Sequence, residues 1–160
     1  MLTIQFTALR DGAKAPKQAT PGSAGYDLFA CLQAPVTILP SQTQLIPTGL
    51  AIQLPGAHLA AFLYARSGLA IKQGIVPANC VGVVDSDYRG EVCVGLHNLS
   101  DKPFTVEPGD RIAQMVIAPV QQVEFVPCES LEDSQRGTGG FGSTGIGETP
   151  HGNREGLGNE

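Results

Sequence analysis

Proline and glycine interrupt this chain so often that a long helix has no room to form. The 160 residues include 20 Gly and 12 Pro, and the apolar residues between them fall in short runs. A helix interior tolerates neither residue well, whereas short strands joined by tight turns use both. Hydrophobic residues make up 42% of the chain, enough to build a core and too many for a disordered polymer. This length suits one domain better than two. The expected fold is all-β, a sandwich or barrel.

Periodicity places the strands. Leu2 to Thr7 (LTIQFT) alternates apolar and polar residues, the pattern of a half-buried strand. Tyr26–Cys31, Val36–Leu39 and Gln44–Leu54 follow, punctuated by Pro40 and Pro47. His58–Ala65 reads as a strand despite its alanines, because it lies between Pro-Gly and Arg-Ser-Gly. Leu69–Gln73 is expected to make one helical turn. Cys80–Val84 and Glu91–Leu96 flank a polar, Gly-ended segment, which signals a hairpin. Arg111–Ile117 and Gln121–Val126 read as further strands. From Glu132 onward the chain is glycine-rich and polar, and cannot order itself by burial. The expected organisation is a β domain over residues 1–132, a flexible Gly-rich arm over 133–145 and a disordered tail over 146–160.

Charge excludes some partners. The net charge is −5 with only ten Lys and Arg, so no basic face is available for sequence-independent nucleic-acid binding. No stretch is apolar enough to cross a membrane, and the N-terminus lacks a secretory pattern, so a cytoplasmic protein is expected. Cys31, Cys80, Cys93 and Cys128 form no C-x-x-C pair or zinc-like spacing and read as free thiols.

Four segments carry possible chemistry. Arg136–Gly145 (RGTGGFGSTG) twice satisfies G-x-G-x-x-G, but the sequence around it offers no strand before it and no helix after it to complete a dinucleotide fingerprint. Its backbone N–H groups suit an anion-binding nest, to which Arg136, Ser143 and Thr144 add donors and Phe141 a flat face. A plain linker explains the same composition. Asp85-Ser86-Asp87 offers a general base or a metal-linked carboxylate, or simply a solvated turn, and Tyr88 beside it can cover a ligand or cap that turn. Arg66-Ser67-Gly68 suits a phosphate, and equally a surface turn. Gln114 interrupts an apolar run in Gly109–Met115. No Ser-His-Asp or Cys-His arrangement is legible around His58, His97 or His151.

In order along the chain, these segments together with Ala24–Leu28 resemble the five motifs of the trimeric dUTPase family. The motifs are Ala24–Leu28, Arg66–Ala70, Gly82–Gly90, Gly109–Met115 and Arg136–Gly145. One departure is Ala65, where the family usually has Pro. The resemblance spans Thr3 to Gly145 and implies a distorted jelly-roll, a homotrimer with active sites shared between subunits, and hydrolysis of dUTP to dUMP and pyrophosphate with Mg2+. That reaction lowers dUTP and supplies dUMP for thymidylate synthesis. It further implies that Asp85 activates the water attacking the α-phosphorus, and that Tyr88 packs on the deoxyribose. Asn79 and the backbone from Cys80 to Val84, Gly82 and Val84 included, read uracil. Arg66, Ser67, Gly68 and Gln114 hold phosphates, and Asp27 holds Mg2+ through water. Arg136, Gly142, Ser143 and Thr144 close on the γ-phosphate end, with Phe141 over the base. A dCTP deaminase and a non-enzymatic regulator on the same scaffold are the competing expectations.

Overall fold

The computed structural model describes residues 2–140. The chain divides into two compact units, Met1–Val123 and Glu124–Glu160. The first is nearly all-β. Its strands are β1 (Gln5–Ala8), β2 (Tyr26–Phe29), β3 (Val36–Ile38), β4 (Thr43–Pro47), β5 (Leu50–Gln53) and β6 (Leu59–Tyr64). After the helix α1 (Ser67–Gln73) come β7 (Ile75–Pro77), β8 (Gly82–Val84), β9 (Cys93–Asn98), β10 (Phe104–Val106) and β11 (Arg111–Pro119).

Four antiparallel sheets result, in the orders β2-β11-β6-β8, β4-β9-β7, β1-β5 and β10-β3. They do not close into a barrel. Between the two larger sheets lies a core that includes Leu28, Ile38, Ile46, Leu63, Val94, Leu96, Ile112 and Met115. Alternation builds it: along β9, Val94, Leu96 and Asn98 turn inward. Each fully buried Leu or Ile contributes about 1.5–3 kcal/mol. Asn98 is fully buried because its amide donates to the carbonyls of Ile38 and Lys102, at 2.9 and 2.7 Å.

Several expectations need correction. Cys80–Val84 and Glu91–Leu96 do not form a hairpin. β8 pairs only with β6, and β9 pairs with β4 and β7, so the segment between them carries the chain from one sheet to the other. Gln121–Val126 is not a strand, and its Phe125 is 93% exposed. Among the described residues it has no neighbouring strand to bond. The first strand runs from Gln5 to Ala8 and is exposed throughout rather than half-buried; among the described residues it pairs with β5 alone. The expected single turn is a seven-residue helix, ended by Gly74 at φ 69°. Two short strands, β7 and β10, escaped the sequence reading.

Candidate active site

Two separate groups of polar residues stand out. The first lines a cavity of about 380 Å³ whose walls include Asn79, Gly82, Val84, Asp85, Tyr88 and Glu91. β8 supplies one wall. It is an edge strand, so half of its backbone donors and acceptors are left free of the ladder. It lies close on β6: a Cβ at Gly82 would stand 3.0 Å from Leu63 Cβ. Asp85 leaves the end of β8 with an exposed carboxylate. Its carbonyl accepts from Tyr88 N at 3.2 Å, which turns the chain and brings Tyr88 back beside it. The Tyr88 hydroxyl donates to the Glu91 carbonyl at 3.0 Å, and the ring lies over Gly90, where a Cβ would come within 2.6 Å of Tyr88 Cζ. Asn79 stands in the turn after β7, next to Cys80 in the left-handed region at φ 62°.

The second group surrounds Asp27 on β2. Arg66 Nε donates to Asp27 Oδ1 at 2.8 Å, and Arg111 Nη1 donates to Oδ2 at 3.2 Å. One carboxylate between two guanidiniums leaves a net positive charge. Gln114 faces Asp27 across the β2-β11 ladder and donates to the Ala65 carbonyl at 2.9 Å. Pro at position 65 would offer the same carbonyl, so Ala65 costs the site no bond. Ser67 and Gly68 open α1, whose first turn no side chain caps.

The two groups do not meet within one chain. Ala61 pairs with Val84, so Asp85 lies near the Ala60 end of β6, while Arg66 lies past its other end. From Ala60 to Arg66 an extended chain spans about 20 Å. The face bearing Asp27 and Gln114 also carries Val116, Phe62, Tyr64 and Val83, residues aligned by register. Those four residues form an apolar stretch beside Asp27 and Gln114, and Val83 is 60% exposed. A larger, apolar cavity of about 420 Å³ against β1, lined by Leu2, Ile4, Phe6 and Ile117 among others, holds no carboxylate or cation.

Arg136 belongs to the second unit, where its Nε donates to Gly139 O at 2.8 Å within a short turn. Phe141, Gly142, Ser143 and Thr144 lie outside the described residues. Among the described residues no three His, Cys, Asp or Glu side chains cluster as a metal site, and no helix is long and apolar enough to cross a membrane.

A dUTPase family model matches residues 11–145. The chain belongs to the dUTPase family. It is 56% identical over 143 residues to the deoxyuridine 5'-triphosphate nucleotidohydrolase of Desulfitobacterium hafniense, covering 89% of this chain and 95% of that one. Identity to the enzyme of the same name from Hahella chejuensis is 58% over 130 residues, 81% of this chain and 86% of that one. The dUTPase of Staphylococcus bacteriophage 80alpha, solved with dUPNHPP, superposes with a TM-score of 0.81 at 28% identity, covering 90% of this chain and 99% of that one. This dUTPase is therefore a hydrolase of nucleotide metabolism, a dUTP diphosphatase. Its cavity collects the third-motif residues and Asn79, and its Asp27 group collects those of the first, second and fourth. Sequence reasoning assigned no role to Arg111, Glu91 or Arg10. Their partners lie 84, 81 and 81 positions away, and no local pattern signals such pairs.

Proposed function

We propose that Asp85 activates the water that attacks the α-phosphorus of dUTP, in a site completed by a second copy of the chain. The observation that carries this reading is the exposed Asp85 carboxylate at the rim of a cavity walled by a free strand edge and a tyrosine ring. A strand edge presents alternating N–H and C=O groups, the complement of a pyrimidine's polar edge. Asn79 and the backbone of Gly82 and Val84 read uracil there, and β8 packed on Leu63 leaves no space for a 5-methyl group. Tyr88 covers the deoxyribose and excludes a 2′-hydroxyl. Asp85 takes the water's proton as the general base.

Phosphates need cations, and among the described residues no Lys or Arg lines the cavity around Asp85. Arg66, Ser67, Gly68 and Gln114 supply phosphate contacts from another protomer, which also explains the apolar stretch beside Asp27 and Gln114. Arg136 and the arm residues Phe141, Gly142, Ser143 and Thr144 close the site. A homotrimer with shared sites meets these demands. Mg2+ neutralises phosphate charge in such a reaction. With each Asp27 oxygen already accepting from a guanidinium, one lone pair per oxygen remains, which can accept a hydrogen bond from a Mg2+-bound water. The enzyme acts in the cytoplasm, lowering dUTP and supplying dUMP for thymidylate synthesis.

The test is pyrophosphate release with dUTP, dTTP, dCTP and UTP side by side. dUTP alone is expected to turn over efficiently. Equal use of dTTP would refute the steric exclusion, and ammonia release from dCTP would favour a deaminase.

A further inference from the structure

We infer that Arg10 and Glu91 form a positioning strut for Tyr88, and through its ring set the preference for deoxyribose over ribose. The inference rests on the reading of Tyr88 as the sugar-facing wall. Arg10 Nε and Nη2 donate to Glu91 Oε1 and Oε2, both at 2.8 Å. This is a two-pronged pair, which fixes orientation as well as distance. Glu91 Oε1 also accepts from Gly49 N at 2.8 Å, and the Glu91 side chain is only 17% exposed. The main chain of the same residue receives the Tyr88 hydroxyl. Glu91 thus joins three things: the Tyr88 ring, the corner at Gly49 and the loop after β1.

That corner is rigid. Val92 O accepts from Thr48 Oγ1 at 2.6 Å and from Thr48 N at 3.2 Å, and Val92 N donates to Leu50 O at 2.7 Å. Gly49 sits at φ 73°, and a Cβ there would come within 2.8 Å of Ala13 Cβ and Cys31 Sγ. The segment carrying Asp85 and Tyr88 is therefore fastened at Glu91 to a hydrogen-bonded, tightly packed corner, and Arg10 closes the fastening from outside. Glu91 lines the cavity, whereas Arg10 does not. Arg10 is a positioning residue, acting only through Glu91 and Tyr88. With its Arg10 partner half exposed, the pair adds little stability by itself. Its effect here is geometric.

The test uses the full chain with Arg10→Ala and Glu91→Gln, the latter keeping an acceptor for Gly49 N. Tyr26, Tyr64 and Tyr88 are the three tyrosines. They are replaced by 3-fluorotyrosine, and the Tyr88 fluorine signal is assigned with Tyr88→Phe. Both variants are expected to move the Tyr88 signal and leave the other two in place. The ratio of kcat/KM for dUTP to that for UTP is expected to fall about three- to tenfold, and the same substitutions made in Tyr88→Phe are expected to leave it unmoved. An unmoved Tyr88 signal overturns the strut. So does an unchanged ratio accompanied by a lower Tm, which marks a merely structural role. Tyr88→Ala separates the two levels. If it changes the ratio and Arg10→Ala does not, only the strut fails; if neither does, the sugar-wall reading fails with it.

Discussion

Asp27 and Arg66, 39 positions apart in sequence, meet with Nε 2.8 Å from Oδ1. The contact makes Asp27 the anchor of the guanidinium proposed to hold phosphate. Asp27→Asn removes the charge and leaves a neutral acceptor. A hydrogen bond to a charged partner contributes about 1.5–3 kcal/mol. The expected result is a loss in kcat/KM for dUTP of about ten- to a hundredfold. Steady-state kinetics across a Mg2+ titration checks this. A loss that excess Mg2+ fully restores would assign Asp27 to the metal rather than to Arg66.

Asp85→Asn is isosteric and cannot take a proton. The fold and nucleotide binding are expected to survive, and turnover to fall about 10²- to 10⁴-fold, the range for a positioned base. Single-turnover kinetics with a parallel binding isotherm separates the two effects. Turnover near that of the unsubstituted enzyme would remove Asp85 from the chemistry.

Sharing of sites is testable by mixing two inactive chains. One carries Asp85→Ala with its arm intact; the other ends at Glu132 with Asp85 intact. Co-refolded in equal amounts, they assort at random. If base and arm come from different protomers, about a quarter of the sites of a cyclic oligomer regain both parts. Activity no higher than either protein refolded alone, in mixtures shown to contain mixed oligomers, would place each arm over its own chain's site.

Glu91 predicts a pH dependence of stability. Its hydrogen bonds from Arg10, with a further contribution from Gly49 N–H, hold its carboxyl below the usual carboxylate range. The unfolded chain then binds the proton first as pH falls. The contribution is complete above the unfolded value, about 4.3, and is lost as pH drops through the lower folded value. Urea midpoints measured from pH 7 down to pH 3 are expected to fall more steeply for the unsubstituted protein than for Glu91→Gln. Parallel curves would show that the pair makes no linked contribution.

Sequence alone determined the family and the all-β class, and it named the candidate site groups. Five ordered motifs do this because each is local: Asp85, Tyr88 and Gly90 lie within six residues, and β8 is legible from its own side chains. Tertiary structure alone decided what each segment meets. Two adjacent β-rich runs looked like a hairpin, yet ladder partners are chosen by which sheet buries each strand, and β8 and β9 were drawn to different sheets. The alternation in Gln121–Val126 was real, but a strand exists only where a neighbour accepts its hydrogen bonds. Arg10–Glu91 and Asp27–Arg66–Arg111 are invisible in sequence for a related reason. An ion pair depends on distance through space, and folding brings together charges that no local spacing relates.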